Sequence, residues 1–444
     1  MNARLLTLSN DGLQIVEESL VGELKLGNSQ HPKIIALALE NAIALFKNYQ
    51  NTVSVGNIPL ILNPSIPLEK LKEMSALLGA DELLTNDDHI ILQGKSHDLT
   101  SGQHILCSSG TTSKGVVGKK FVFNINAAIA NGRAHLNSIG IHTPQKILLP
   151  MPVTHSFGLV GGLLASVYGG HSLYTFNSSA VSASLLLDAV RTHQIDHLYL
   201  TPSLLKMMVK FLKRSKTETP KLSSISIGSS LLFTDDLLQL MSYFPKTKFY
   251  FTYGLTEMGP RTFTFKAGPG ENPQSFLKDN PATPVPIGMP IEGVKYRIEN
   301  DELLIHSPYQ AINFSNDFYG TSDRADLTPV GVRVHGRMDF TIIKSGINIY
   351  PAEVEALLAE FSDVIDCALI PQKSESYGQV PVLLLYTMNT SADLIARVTE
   401  HLKINLPSAH LPSRIVLRNK DFPRTSMGKI KVNALIEEME NEQS

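Results

Sequence analysis

Several features that would mark a secreted, zinc-binding or membrane protein are missing from this sequence. Its two cysteines, Cys107 and Cys367, lie far apart and outside any CxxC or Cys/His cluster, so we expect neither a disulfide framework nor a zinc site. No apolar stretch reaches the length of a membrane span, and the N-terminal segment lacks the continuous apolar core of a signal peptide. A cytoplasmic protein is therefore predicted.

Concentrated charge of one sign is missing as well. The formal net charge is −2 and no long basic run occurs, so contacts with nucleic acid or with an anionic membrane surface are not expected. Hydrophobic residues make up 43% and charged residues 18% of the 444 positions, which are the proportions of a globular protein with ample core. A chain of this length usually divides into two or more domains.

Apolar runs alternate with helix-like stretches through the first two thirds of the chain. Residues 33–47 have apolar side chains at helical spacing and predict a helix. Short runs that predict buried strands lie at 55–65, 147–151, 197–202, 224–228 and 249–253. This alternation is typical of an α/β protein with doubly wound, mostly parallel sheets.

The pattern changes from about residue 284 onward. Two short strands flank the turn-prone pair Asn300-Asp301 and predict a β-rich subdomain. After Asp339 the chain carries a helix, a pair of strands and another helix, which is enough for a small domain. We therefore predict an N-terminal domain over 1–337 and a C-terminal domain over 338–444.

Four polar segments are candidates for chemistry. Residues 108–113 (SSGTTS) follow a strand, where small residues let backbone N–H groups turn toward an anion; this is not a P-loop, because Val116 stands in place of the lysine. In 252–257 (TYGLTE), an aromatic face could stack on a base and a carboxylate could bind Mg²⁺. The remaining segments are 336–355 and 423–431. Taken singly, the four segments are equally well explained as a solvent loop, a helix cap, a linker and a basic turn, respectively.

Their order along the chain is far more specific than any one of them. The succession SSGTT, PVTHSFG, YGLTE, TSD, GRMD and TSMGK resembles the adenylate-forming superfamily of acyl- and aryl-CoA synthetases, luciferases and peptide-synthetase adenylation domains. The resemblance runs from about residue 33 to about residue 436. It implies a large N-terminal domain of doubly wound sheets with a β-rich subdomain, and a small, mobile α+β C-terminal domain that rotates about Asp339.

The resemblance also implies a reaction. ATP and Mg²⁺ would convert a carboxylic acid into an acyl-adenylate with release of pyrophosphate. The acyl group would then pass to a thiol, either that of coenzyme A or the phosphopantetheine arm of an acyl carrier protein. The resemblance leaves the oligomeric state open between monomer and homodimer.

Residue roles follow from the matching motifs, as implications of the resemblance. Lys429 would bridge the carboxylate and the α-phosphate, Thr256 would bond the α-phosphate, and Glu257 would hold Mg²⁺. The remaining catalytic and nucleotide-binding candidates are His155, Ser108, Ser109, Gly110, Thr111, Thr112, Lys120, Gly228, Ser229, Tyr253 for adenine, and Asp323 with Arg337 for ribose. Gly346 would line the pantetheine tunnel. The candidate acid pocket consists of Phe157, Gly158, Ser230, Gly254 and Met258, which suggest an apolar cavity.

The sequence departs from the family pattern in ways that leave alternatives. The phosphate-loop lysine is either Lys114, in a shortened loop, or Lys120, after an insertion, and the spacing to the next helix favours Lys120. Ser322 replaces the usual glycine of TGD, while Asp323 is kept. Residues 154–158 lack the aspartate with which amino-acid-activating domains pair an ammonium, so an uncharged acyl or aryl acid is favoured. Two other functions remain open: a ligase with a non-thiol acceptor, and a catalytically weak homologue that binds nucleotide or acyl-adenylate.

Overall fold

The structure is a computed structural model that describes residues 3–107, 119–176, 181–271, 274–279, 283–314, 317–358, 361, 363–374, 376–389, 391–424 and 430–441. Its strands in chain order are β1 (Arg4–Leu8), β2 (Ile15–Leu20), β3 (Ile34–Ala38), β4 (Ile58–Ile61), β5 (Glu82–Thr85), β6 (His89–Ile91), β7 (Gln103–Cys107), β8 (Lys120–Asn124), β9 (Lys146–Leu149), β10 (Ser172–Phe176), β11 (His197–Leu200), β12 (Ser224–Gly228), β13 (Lys248–Tyr253), β14 (Phe263–Ala267), β15 (Met289–Pro290), β16 (Lys295–Glu299), β17 (Glu302–His306), β18 (Tyr319–Thr328), β19 (Gly331–Arg337), β20 (Ile342–Lys344), β21 (Ile347–Ile349), β22 (Asp366–Ser374), β23 (Gly378–Tyr386) and β24 (Arg414–Arg418).

The α-helices in chain order are α1 (Ala42–Ser54), α2 (Leu68–Leu77), α3 (Ile125–Ser138), α4 (Ser156–Gly158), α5 (Ala165–Tyr168), α6 (Ala183–His193), α7 (Pro202–Ser215), α8 (Thr234–Tyr243), α9 (Gln274–Asp279), α10 (Pro351–Ala356), α11 (Ala392–Asn405) and α12 (Val432–Asn441). A π-helical segment, Leu159–Leu164, joins α4 to α5. No helix within the described ranges is long and apolar enough to cross a membrane.

The largest sheet in the described part of the chain has the order β15-β14-β13-β12-β11-β9-β10-β1-β2. Its central strands, from β1 through β10, β9, β11 and β12 to β13, run parallel. They are buried on both faces: Leu198 and Leu200 pack with α6, α7 and α8, whereas Tyr199 packs on the opposite side with α1 and the π-helical segment. This arrangement confirms the predicted doubly wound α/β architecture.

A second sheet, with the order β6-β5-β3-β4-β7-β8 among the described residues, packs against the first across this shared core. Here the prediction of a continuous helix over 33–47 is wrong. Residues Ile34–Ala38 form β3, which pairs in parallel with both β4 and β5 and is buried along its whole length. The helix begins only at Ala42, where the Asn41 side chain accepts the N–H groups of Ile43 and Ala44.

The predicted β-rich subdomain is confirmed as the antiparallel sheet β16-β17-β18-β19. Asn300 and Asp301 connect β16 to β17 with φ angles of 50° and 64°, the left-handed pair that a tight two-residue hairpin requires. This sheet matters for function because β18 and β19 carry Asp323 and Arg337 to the ends of the parallel strands.

The C-terminal part forms its own sheet, in which β23 pairs with β20, β22 and β24. Its hydrophobic clusters involve residues from Ile342 onward, whereas those of the preceding part end at Val334. Arg324 links the two parts: its guanidinium lies 4.2 Å from the Tyr350 ring centroid and 3.7 Å from Glu353 Oε1. A boundary at 337/338 and a rotation of the smaller part remain our proposals.

Three histidines are fully buried in the larger part and are each held by a neutral partner. His104 Nδ1 lies 2.8 Å from the Tyr49 hydroxyl, His135 Nε2 lies 2.9 Å from the Tyr199 hydroxyl, and His197 Nδ1 lies 2.7 Å from Ser224 Oγ. Burial lowers the pKa of His104 and of His197 to about 3, and the pKa of His135 well below its ordinary value. All three are therefore neutral in the folded protein.

These histidines predict acid lability. Below about pH 6.5 these imidazoles bind protons in the unfolded chain but not in the folded chain. The free energy of unfolding is therefore highest above pH 6.5 and falls as the pH is lowered toward 3. Between pH 7.5 and 5.5 we expect the free energy of unfolding to fall by roughly 4 kcal/mol for the three together. Urea unfolding at both pH values measures this. His104→Gln should reduce the difference by about one third, and His142→Gln, at an exposed position, should not change it. Equal stability at both pH values would contradict the prediction.

Candidate active site

The candidate site lies where adjacent parallel strands end. Gly228 is the last residue of β12 and Tyr253 the last of β13, and the two strands pair in register from Ser224 and Lys248 onward. A single 3₁₀ turn, Thr256–Met258, follows β13. Carboxyl ends of parallel strands form the usual ligand-binding edge of such sheets, so the fold alone assembles the YGLTE segment at a suitable position.

A hydrogen bond joins two motifs that lie a hundred residues apart. Ser156 Oγ is 2.8 Å from Thr256 Oγ1. Ser156 opens α4, and His155 caps that helix by accepting the Phe157 N–H at its Nδ1, 3.3 Å away. The predicted candidates His155 and Thr256 therefore lie on neighbouring segments, and Phe157 is buried beside them.

Asp323 is the centre of a second polar cluster. The Tyr253 hydroxyl donates to its carboxylate, and Asp323 is the cross-strand partner of Arg337, whose Nε lies 3.9 Å from Asp323 Oδ1. Burial, followed by the negative charge of Asp323, raises the pKa of Tyr253 well above its ordinary value. Tyr253 is thus a neutral donor at physiological pH. Its ring packs edge-on against Phe263, with the ring centroids 6.1 Å apart.

Glu257 is suited to a shared Mg²⁺ site. Its side chain is partly exposed. Burial of Tyr319, the first residue of β18, followed by the negative charge of Glu257, raises the pKa of Tyr319. Among the described residues there is no cluster of three metal-ligating side chains. Mg²⁺ that arrives with a nucleotide takes most of its ligands from phosphate and water and needs only one or two carboxylates, and Glu257 fits that requirement.

Lys120, Ser230 and Gly346 take part in none of the contacts described above. The Lys120 ammonium donates to the Leu78 carbonyl at 3.1 Å. It lies on the face of the second sheet opposite to Phe121, whose ring packs between the two sheets. Ser230 is exposed, and Gly346 occupies an exposed β20–β21 turn with a φ angle of 80°. The predicted residues outside the described part of the chain are Ser108, Ser109, Gly110, Thr111, Thr112, Lys114 and Lys429.

The sequence reasoning missed Arg261. Its side chain is only 1% exposed, its Nη1 donates to Thr252 Oγ1 at 2.9 Å, and its guanidinium carbon lies 3.4 Å from the centroid of the Phe157 ring. The signal that could have found it is an arginine between Pro260 and the buried pair Thr262 and Phe263. The apolar acid pocket stays a prediction, and the Arg261 guanidinium lies against Phe157, one of its predicted wall residues.

Comparison with known proteins identifies the family. The family model for AMP-binding enzymes matches residues 103–308, and that for the AMP-binding enzyme C-terminal domain matches residues 353–429. Together the two matches cover more than half of the chain, in the order that the motifs require. The chain belongs to the adenylate-forming superfamily.

Individual relatives agree with this family. A 2-succinylbenzoate–CoA ligase of Haemophilus influenzae is 24% identical over 79% of this chain and 75% of its own length. One from Staphylococcus epidermidis is 26% identical over 86% of this chain and 78% of its own length. Among solved structures, the anthranilate CoA ligase AuaEII in complex with anthranoyl-AMP has a TM-score of 0.79 at 16% identity, over 98% of this chain and 93% of that one.

Family membership confirms the predicted reaction class. The chain is an AMP-forming acid–thiol ligase that uses ATP and Mg²⁺ to activate a carboxylic acid as its adenylate. The predicted fold class is confirmed as well, since the structural likeness spans nearly the whole chain. The assignments of individual site residues stay predictions.

Gly254 provides a test of the site geometry. A Cβ at this position would lie 2.1 Å from the Pro260 carbonyl oxygen, so Gly254→Ala must displace one of the two segments on either side of the Thr256 turn. We expect a loss of about 1–3 kcal/mol in the free energy of unfolding and an increased KM for ATP. Gly22→Ala, where no atom lies within 4 Å of the new Cβ, is the matched control. Wild-type stability and KM in Gly254→Ala would contradict this geometry.

Proposed function

We propose that this enzyme adenylates an aryl or other apolar carboxylic acid without an ammonium group and transfers the acyl group to coenzyme A. The observation that carries the proposal is the meeting of two clusters at one strand edge. Ser156 and Thr256 form one, and Tyr253, Asp323 and Arg337 form the other. One cluster suits the α-phosphate and the other suits the ribose, which are adjacent parts of an adenylate.

The ribose end is the better defined. A carboxylate accepts hydrogen bonds from both hydroxyls of a diol, and it has enough lone pairs to keep the Tyr253 hydroxyl as well. Arg337 donates from Nη1 to the Thr321 carbonyl at 3.1 Å while its Nε faces Asp323. This fixes the guanidinium beside the carboxylate and keeps Asp323 oriented toward the nucleotide.

The first half-reaction would take place at the phosphate end of the proposed site. One carboxylate oxygen of the acid attacks the α-phosphorus of ATP, the bond from that phosphorus to the bridging oxygen breaks, and pyrophosphate leaves. The Thr256 hydroxyl, held by Ser156, donates to an α-phosphate oxygen as charge develops there. Glu257 would be the protein ligand of Mg²⁺, which offsets phosphate charge when it is bound. By the resemblance, Lys429 and residues 108–112 contribute further donors.

The second half-reaction releases AMP. The thiol sulfur attacks the acyl carbon, the proton of the thiol is lost, and the bond from that carbon to the phosphate oxygen breaks. Coenzyme A is the proposed acceptor because the relatives and the structural neighbour described above are CoA ligases by name. Those proteins also act on aromatic acids, which supports an aryl substrate here.

ATP–pyrophosphate exchange tests the proposed function. The acids to compare are benzoate, anthranilate, 2-succinylbenzoate and a series of straight-chain fatty acids, followed by AMP release with coenzyme A or with a phosphopantetheinylated carrier protein. We expect exchange with an aromatic acid and AMP release that depends on coenzyme A. Exchange without any thiol dependence would favour a different acceptor. No exchange with any acid would favour a nucleotide-binding homologue without catalysis.

The two half-reactions separate the proposed roles of Lys429 and Asp323. Lys429→Ala should lower adenylation by about 100- to 1000-fold, since it removes a donor to developing charge, while thioester formation from a supplied acyl-adenylate continues. Asp323→Asn is the matched comparison and should impair both steps, because the ribose is present in ATP and in the acyl-adenylate. Single-turnover assays of each step measure the difference. An equal loss of activity in both steps for Lys429→Ala would contradict its proposed role.

A further inference from the structure

Arg324 joins the two parts of the chain directly beside the proposed nucleotide site. It follows Asp323 in β18, and its guanidinium carbon lies 4.2 Å from the centroid of the Tyr350 ring. Its Nη1 is 3.7 Å from Glu353 Oε1, and its Nε is 3.7 Å from Asp301 Oδ2. Tyr350 precedes α10 and Glu353 lies in its first turn, whereas Asp301 belongs to the β16–β17 hairpin. One side chain therefore bridges the β-rich subdomain and the C-terminal part.

A β-bulge lies at the point where Arg324 reaches the C-terminal part. Arg324 lies opposite Gly336 in β19, but the next pair of residues skips His335, which is therefore an extra residue in that strand. Bulges of this kind redirect side chains and are frequent next to active sites. A Cβ on Gly336 would lie 3.9 Å from the Cβ of Ala352, an ordinary contact distance. Helix α10 thus packs directly on the bulge.

Asp323 and Arg324 leave β18 on opposite faces, as consecutive side chains of a strand do. Asp323 is buried and accepts the hydrogen bond of the Tyr253 hydroxyl, whereas Arg324 is half-buried and reaches the ring of Tyr350. Two adjacent residues therefore serve two purposes. One forms the proposed ribose site, and the other contacts the C-terminal part.

The contacts among Arg324, Tyr350 and Glu353 are of intermediate strength, which suits a reversible latch. The Arg324 side chain is 29% exposed and that of Glu353 is 35% exposed, so water partly screens their attraction. A cation over an aromatic ring and a partly exposed ion pair each change an equilibrium constant by about 2- to 5-fold. Together they bias one orientation of the C-terminal part by about 5- to 20-fold and remain weak enough to break in every turnover.

The orientation that Arg324 holds leaves the loop around Gly346 in solvent. Gly346 lies in the exposed β20–β21 turn, and no atom of the described residues would meet a Cβ there within 4 Å. Its neighbours Ile343 and Ile347 are 52% and 42% exposed. The resemblance implies that Gly346 lines the pantetheine tunnel during thiol transfer. The orientation in this structure is therefore not the one that transfers the acyl group to a thiol.

We propose that Arg324 is a positioning residue that holds the C-terminal part in the orientation for adenylation and must release it before thiol transfer. It acts through Tyr350 and Glu353 and touches neither the acid nor the nucleotide. This inference rests on the proposed function and on the proposed rotation about Asp339. Loss of the latch shifts the equilibrium toward the second orientation, so the ratio of the adenylation rate to the thiol-transfer rate falls by the factor that the latch contributes. That change is the same however strongly the wild-type enzyme favours either orientation.

Single-turnover rates of both steps in the full-length protein test the latch. Adenylation is measured with ATP and the acid that gives the fastest ATP–pyrophosphate exchange among benzoate, anthranilate, 2-succinylbenzoate and straight-chain fatty acids. Thiol transfer is measured with the corresponding acyl-adenylate and coenzyme A. In Arg324→Met the ratio of the first rate to the second should fall about 5- to 20-fold. An unchanged ratio, including an equal loss of both rates, would overturn the latch and leave the proposed function standing. No exchange with any acid in the wild-type enzyme would defeat the proposed function and the latch with it.

Further variants assign the effect to the contact itself. Tyr350→Phe keeps the aromatic face and should keep the wild-type ratio, whereas Tyr350→Leu should lower the ratio about 2- to 5-fold. In the Arg324→Met background Tyr350→Leu should have no further effect. Arg297→Met is the matched control and should keep the wild-type ratio. Within the N-terminal part, Arg297 makes the same two kinds of contact, 4.6 Å from the Phe318 ring centroid and 3.0 Å from Glu299 Oε1. A lowered ratio in Arg297→Met, or additive losses in the double variant, would overturn the proposal.

Discussion

The hydrogen bond from the Tyr253 hydroxyl to the Asp323 carboxylate is the contact on which the arrangement of the site depends. It joins the end of the parallel β13 to the antiparallel β18, two elements that share no strand pairing. Because Tyr253 remains a neutral donor, Asp323 keeps its negative charge compensated by a donor on one side and by Arg337 on the other. The proposed nucleotide edge of the site therefore depends on how two sheets dock, and neither sheet could form it alone.

Much of this docking could be predicted from the sequence, but only at the level of motifs. The order of the six motifs identified the family, and it predicts that Thr256, Glu257, Asp323 and Arg337 belong to one site. Local chemistry also predicted the Asn300-Asp301 hairpin, since few residues other than these adopt two successive left-handed conformations. In these places the local signal and the tertiary environment agree.

The failures occurred where tertiary environment decided the outcome. Residues Ile34–Ala38 have helix-compatible spacing, and only burial between β4 and β5 makes them a strand. Lys120, favoured from spacing, stays a prediction: its alternation with Phe121 turns the ammonium in this structure to the other face of the second sheet. Arg261 escaped notice because an isolated arginine is ordinarily a surface residue. Nothing in its immediate sequence says that a glycine one hundred residues earlier leaves room for it.

Some unfavourable local features lie near the candidate site. Ser322, in place of the family's glycine, has a φ angle of 57°, a conformation that costs a non-glycine residue on the order of 1 kcal/mol. Its N–H is nevertheless bonded to Glu302 Oε1 at 2.8 Å, which holds the part of β18 that carries Asp323. Arg261 is buried without a counter-ion, and His135 is buried with one ring nitrogen unpaired. Strain and unpaired polarity persist where the surrounding structure enforces them. At Ser322 the enforcing contact is the Glu302 carboxylate, and at Arg261 it is the packing of the Phe157 and Tyr199 rings around the guanidinium.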